Sequence, residues 1–298
     1  MPKSNNDERI EVLKTYKMYV GGKFPRTESG RFYAPEAKGK PLGNVCLASR
    51  KDVRNSVVVA RNAQSGWASR SAYNRGQILY RIAEMLEGRR DQFVSELELQ
   101  GLNKKDANSE VEQSIDRLIY YAGWCDKYQQ IFSSVNPVAS SHFNFSILEP
   151  TGVVFQFASE TSPLLGLVSL MAPIIASGNT VIILASYSKP LSAVTFAEVL
   201  QTSDVPAGVV NILTGSLSEL QEHVAGHLDV NAVAVDRNDS KAITSIETSA
   251  VGNIKRVRTY ELDWNEPTSE NPYLIEDFCE VKTTWHPIEK ISASGAAY

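Results

Sequence analysis

Gly152-Val153-Val154-Phe155-Gln156-Phe157-Ala158 and, one helix-length segment later, Thr180-Val181-Ile182-Ile183-Leu184-Ala185 decide the fold. Neither run alternates apolar with polar residues, so each reads as a strand buried on both faces. Three similar runs follow: Val209-Val210-Asn211-Ile212-Leu213, Ala232-Val233-Ala234-Val235 and Arg256-Val257-Arg258-Thr259-Tyr260. Such strands alternating with helices predict a parallel sheet wrapped on two sides, a doubly wound α/β part over residues 151–264. Ligands of these sheets bind beyond the carboxyl ends of the strands. The loops after Ala158, Ala185, Gly215 and Val235 are therefore where function is to be sought.

Working outward, residues 133–150 read as a β-arm, in which Phe143-Asn144-Phe145-Ser146-Ile147 has a period of two and puts Phe143, Phe145 and Ile147 on one face. An isolated hairpin is marginal, so the arm needs partner strands. Residues 49–132 read as helices. Ser49-Arg50-Lys51-Asp52 offers a capping box. Val53, Val57, Val58 and Ala60 then carry helical spacing to about Trp67, and Ile78, Leu79, Ile82 and Leu86, Phe93 and Leu97, and Val111, Ile115 and Leu118 continue it. Residues 1–48 form an N-terminal segment of hairpins and short strands around Tyr19-Val20-Gly21-Gly22-Lys23-Phe24. Residues 265–298 make a short tail with a loop at 266–272 and one candidate strand, Glu280-Val281-Lys282-Thr283-Thr284-Trp285. That tail is too short for a second domain.

At 298 residues and 43% hydrophobic content, the chain can bury a full core. Its 30 basic and 34 acidic residues are spread without long single-sign blocks, so no nucleic-acid stripe is visible. The first eight residues lack the apolar core of a secretory signal, and no stretch reaches the roughly 18 apolar residues of a membrane span. A cytoplasmic protein without membrane partners is the expectation. Cys46, Cys125 and Cys279 are widely spaced with no CxxC pair, so neither a disulfide framework nor a zinc site is expected. Cys46 and Cys125 sit in apolar contexts and read as packing residues. Cys279 follows a polar loop, which would leave it exposed, while the neighbouring acids would blunt a thiolate. His223 and His227 lie one helical turn apart without a third ligand nearby, and His286 reads as a loop residue. No metal is expected.

Blocks along the chain carry a family resemblance. Gly152-Val153-Val154, Pro163-Leu164-Leu165, Ala172-Pro173-Ile174-Ile175-Ala176-Ser177-Gly178-Asn179-Thr180-Val181, Pro190-Leu191-Ser192-Ala193 and Val205-Pro206-Ala207-Gly208-Val209-Val210-Asn211-Ile212-Leu213-Thr214-Gly215 occur in the order that resembles the aldehyde dehydrogenase superfamily. The resemblance covers residues 16–263. It implies the fold of that family's NAD-binding domain: a Rossmann-like doubly wound parallel sheet with a helical N-terminal region and a β-arm. It also implies an NAD(P) site, a cysteine nucleophile, an asparagine that holds the oxyanion and a glutamate that activates water.

Carried over residue by residue, that chemistry is depleted. The oxyanion asparagine, two residues before the proline matched by Pro163, becomes Thr161 in Ala158-Ser159-Glu160-Thr161-Ser162. Losing such a donor costs about 3 kcal/mol in the transition state. The lysine and glutamate that grip the adenosine ribose become Leu184 and Tyr187, and Lys189 belongs to the next helix start as a surface charge. The glycine-serine segment at the pyrophosphate becomes Asp236-Arg237-Asn238-Asp239-Ser240, where two acids repel phosphate and Arg237 offsets one of them. Ser159, Leu184, Tyr187, Gly215 and Arg237 are the degenerate cofactor positions. No cofactor is expected on this count; NAD or NADP is the one the resemblance would imply. Glu261 matches the general base, and Cys279 is a candidate nucleophile. The family's nucleophile lies well beyond Glu261 in a separate domain. A chain ending at Tyr298 is expected to lack that domain, and with it the segment that contributes the family's final intersubunit strand.

A narrower resemblance is to the shortened, noncatalytic second unit of the tandem family 16 aldehyde dehydrogenases, through Ser249-Ala250-Val251-Gly252-Asn253-Ile254-Lys255 and Lys282-Thr283-Thr284-Trp285-His286-Pro287. Three functions stay open. The first is a noncatalytic scaffold that binds a protein partner or a catalytic dehydrogenase unit, or a second copy through residues 133–149. The second is an NAD(P)-dependent oxidoreductase that uses Cys279 and Glu261. The third is a nonredox nucleotide-binding module.

Overall fold

The computed structural model describes residues 12–288. Short strands β1 (Thr15–Tyr16), β2 (Phe32–Tyr33), β3 (Glu36–Ala37), β4 (Lys40–Pro41) and β5 (Asn44–Cys46) form the N-terminal segment. Helices α1 (Arg50–Ala68), α2 (Ala72–Glu87), α3 (Arg90–Leu99), α4 (Lys104–Trp124) and α5 (Tyr128–Phe132) follow. The capping box read from sequence starts α1: the Ser49 hydroxyl accepts from the Asp52 amide, and the Asp52 carboxylate accepts from the Ser49 amide at 2.7 Å. Asp52 is buried and also accepts from the Thr27 hydroxyl and the Glu28 amide, so one carboxylate ties the N-terminal segment to α1.

All five runs are strands of one parallel sheet: β8 (Val153–Phe157), β9 (Thr180–Leu184), β10 (Val210–Leu213), β11 (Ala232–Val235) and β12 (Arg256–Thr259), in the order β10-β9-β8-β11-β12. Four of them are buried along their whole length as expected, but β12 is not: it is the edge strand beside β11, and its Arg256, Arg258 and Thr259 are half-buried or exposed. Helices α6 (Leu165–Ala176), α7 (Leu191–Gln201), α8 (Leu217–Ala225) and α9 (Ser240–Ala250) cross between them. The chain therefore has an α/β fold with a doubly wound parallel sheet.

Alternation along the strands builds two cores. Val154, Val181, Ile183, Val210 and Ile212 face one side, where apolar residues of α2, α4 and α6 cover them. Val153, Phe155, Phe157, Ile182, Leu184 and Leu213 face the other, against Val53, Val57 and Ala60 of α1. Every residue of α6 is buried, because that helix lies between the sheet and the pair α2 and α4. Gly152 precedes β8 at φ 131°, a conformation open to glycine, and an added Cβ would strike the Asn231 side chain that accepts from the Val153 amide. The outer strand β10 is closed by the N-terminal segment, where Tyr19 and Ile212 exchange two backbone hydrogen bonds at 2.8 and 2.7 Å.

The arm corrects one expectation. Strands β6 (Ser134–Asn136) and β7 (His142–Pro150) are joined by β13 (Cys279–Pro287), which follows the short helix α10 (Tyr273–Glu276) and runs antiparallel to β7 over its whole length. The arm thus has a third strand from within this chain, and His286 lies in a strand rather than a loop. The reason is long-range pairing: residues 279–287 find their partner more than a hundred positions upstream, which a local reading does not register. Phe143 is exposed on the arm, as are Val135, Val281 and Trp285. Among the described residues, no helix is long and apolar enough to cross a membrane.

Candidate functional site

An open cleft of about 1600 Å³ lies beyond the carboxyl ends of the parallel strands, lined by the loops that follow them and by the α3–α4 connection. Seven carboxylates and three cations line it.

Glu160 is the hub of this cleft. Its carboxylate accepts from the amides of Tyr187 (2.8 Å) and Ser188 (3.1 Å), from the hydroxyls of Ser186 (2.6 Å) and Ser188 (2.7 Å), and from the Arg237 guanidinium. Burial pushes this carboxyl up, but the Arg237 charge and the hydroxyl and amide donors outweigh it and hold the group at about 2. Arg237 is therefore engaged by Glu160, and it stands beside Asp236 without bonding to it. Burial raises Asp236 to about 6, against the pull of the Trp264 indole, which donates to it at 2.7 Å, and of Arg237.

Two helix starts at the cleft are filled in the same manner. Glu110 from α4 accepts from the Leu164 and Leu165 amides at 2.8 and 3.1 Å, at the start of α6. Asp239 caps α9 by accepting from the Lys241 and Ala242 amides, both at 3.1 Å. Amides that would face an anion are taken by side chains of the chain itself.

The residues singled out from the sequence fall into two groups. Ser159, Thr161, Tyr187, Arg237 and Glu261 line the cleft. The Ser159 hydroxyl accepts from the amides of Thr161 and Ser162, both at 3.3 Å, which curls the loop around it. Tyr187 stacks on Tyr33. Glu261 is exposed. Lys189 is half-buried at the cleft wall. Leu184, Gly215 and Cys279 are elsewhere. Leu184 is fully buried in the core beside α1, and Gly215 packs on Ala48. Cys279 is not exposed as its polar neighbours suggest: it is 4% exposed, its thiol donates to the Ile275 carbonyl at 3.2 Å, and burial pushes it up to about 12. The acids on either side, Asp277 and Glu280, turn away into ion pairs with Arg258 and Arg256 and leave the thiol in the core.

Sequence reasoning misses Glu160, Glu110, Tyr33 and Trp264. Glu160 alone carries a signal, as the one acid in a loop of small polar residues facing the serine-rich turn Ser186-Tyr187-Ser188.

With this geometry in place, residues 25–280 match the aldehyde dehydrogenase family. The chain belongs to that family. It is 32% identical over 269 residues to DhaS of Bacillus subtilis, named as a putative aldehyde dehydrogenase, a match that covers 87% of this chain and 53% of that protein. It is 29% identical over 267 residues to the cytosolic 10-formyltetrahydrofolate dehydrogenase of Mus musculus, covering 87% of this chain and 30% of the relative. Among solved structures, the NAD+ complex of an aldehyde dehydrogenase from Bacillus cereus superposes with a TM-score of 0.78 at 26% identity, covering 83% of this chain and 50% of that one. The chain thus spans about half, or less, of the length of these relatives.

Proposed function

We propose that this chain is a noncatalytic aldehyde dehydrogenase-family module that works in the cytosol by binding a protein partner, with a catalytic dehydrogenase unit as the partner of choice. The observation that carries the reading is the fate of the two ribose-gripping positions: Leu184 is sealed in the core and Tyr187 is stacked on Tyr33. The residues at this cleft do not fit NAD or NADP, because the start of α9 is capped by Asp239 and Asp236 stands beside it. Thr161 supplies a short hydroxyl in place of an amide donor, and the buried Cys279 thiol supports no nucleophile. The narrower likeness to the second unit of the tandem family 16 enzymes points the same way. The exposed apolar side chains of the arm, Val135, Phe143, Val281 and Trp285, offer a surface for a second copy or for that unit.

The test has two arms. Purified protein is assayed with NAD+ and NADP+ against short and long aldehydes, and its native mass is measured alone and with a full-length aldehyde dehydrogenase. No reduced cofactor and a stable mixed assembly are expected. Reduction of NAD+ or NADP+ with any of the aldehydes would overturn the noncatalytic reading, and its loss in Cys279→Ala and Glu261→Gln would assign the turnover to those two residues.

A second reading, nonredox nucleotide binding, is favoured by the volume of the cleft and by the likeness to a NAD+ complex. It predicts a melting shift with NAD+ or ATP, and saturating nucleotide without a shift removes it.

A further inference from the structure

We propose that the turn after β9 and Arg237 together form a carboxylate-binding site in which Glu160 is the resident ligand. Five donors from two separate segments converge on two oxygens: the amides of Tyr187 and Ser188, the hydroxyls of Ser186 and Ser188, and the Arg237 guanidinium. Ser186 and Arg237 are 1% and 8% exposed, so the cradle is built into the protein rather than laid on its surface. Arg237 also keeps a buried Nε without a hydrogen-bond partner among the described residues. Donors fixed in this way are costly to leave unpaired, and the carboxylate satisfies them.

The resident ligand arrives from outside the cradle. Glu160 lies on the loop between β8 and α6, 26 to 28 positions from the turn and 77 from Arg237. It is a half-exposed side chain on a loop that is otherwise held by the Ser159 hydroxyl. Withdrawing it leaves the donors of the turn in place, because Ser186 also accepts from the Lys189 amide at 3.0 Å and the turn runs directly into α7. The vacated space has the shape and charge preference of a carboxylate. An acidic side chain, a chain terminus or a free carboxylic acid presents that same group. This inference stands apart from the proposed scaffold role, since it concerns what the cradle binds and not whether the chain turns over aldehyde.

The test is rescue of Glu160→Ala by sodium acetate or formate, with sodium chloride at equal ionic strength as control. The melting temperature of E160A should fall below that of the wild type, then rise by about 3 °C at about 100 mM acetate while the wild type stays within about 1 °C. Adding Arg237→Ala to E160A should abolish the rise. A folded E160A that responds to acetate no more than to chloride, or a wild type that responds equally, would overturn the proposal. Phosphate that rescues as well as acetate would overturn its preference for carboxylates. If E160A does not fold, E160Q keeps the volume and removes the charge: it should melt lower than the wild type, and an unchanged melting temperature would count against the cradle.

Discussion

Tyr187 lies flat on Tyr33, with ring centroids 4.4 Å apart and planes 4° from parallel. The two come from the turn after β9 and from β2, so the stack ties the N-terminal segment to the rim of the cleft. The Tyr33 hydroxyl is buried and has no hydrogen-bond partner among the described residues. Substitutions at the two rings should therefore have opposite signs. Tyr187→Ala should cost about 1 kcal/mol by removing the aromatic pair, whereas Tyr33→Phe should gain about 1 kcal/mol by deleting an unpaired hydroxyl while keeping the stack. Urea unfolding of both variants decides the matter, and a destabilised Y33F would mean that the hydroxyl has a partner in solution.

Asp236 gives the cleft a pH dependence of defined sign. Its carboxyl titrates at about 6 in the folded protein, against 3.8 for an unperturbed aspartate. Between those values the folded state keeps a proton that the unfolded state releases, so stability falls as pH rises through this window and levels off above about 6. The loss amounts to roughly 3 kcal/mol by linkage. Asp236→Asn removes the titration and still offers an oxygen to the Trp264 indole. D236N should match the wild type near about pH 4 and exceed it at about pH 7.5. Unfolding free energies at the two pH values test this, and a D236N less stable than the wild type at the higher pH would show that Arg237 holds the charge in place.

The parallel sheet and the start of α1 are legible in the sequence because both depend on neighbours along the chain. Four apolar runs suffice for the buried strands, and Ser49 with Asp52 three positions later suffices for the cap. The reach of Asp52 to Thr27 is not legible, nor is the grip of Glu160 on the turn after β9, since those partners lie 25 and 26 positions apart and meet only in the folded chain. The same limit hides the full extent of β13, whose pairing with β7 is a matter of register across the molecule. Family likeness points to Thr161, Tyr187 and Arg237, yet it does not say that Arg237 is held by Glu160 or that Tyr187 meets Tyr33.

Gly166 shows how closely α6 approaches the cleft floor. A Cβ at this position would lie 2.9 Å from the Ser159 Cβ, 3.1 Å from the Asp236 carboxylate and 3.1 Å from the Trp264 ring. Glycine to alanine inside a helix ordinarily gains about 0.5–1 kcal/mol, because glycine loses more backbone freedom on folding. At Gly166 the clash should reverse that sign, with a net loss of about 1–2 kcal/mol as Ser159, Asp236 and Trp264 are pushed apart. Gly123, in α4, is the internal control: its added Cβ would meet only the flexible end of Lys127, at 3.7 Å. G123A should be neutral or stabilising where G166A is destabilising, as read by urea unfolding. If both variants gain stability, the loop after β8 yields to the methyl group, and the tight packing of Ser159 and Asp236 against α6 does not hold the cleft in shape.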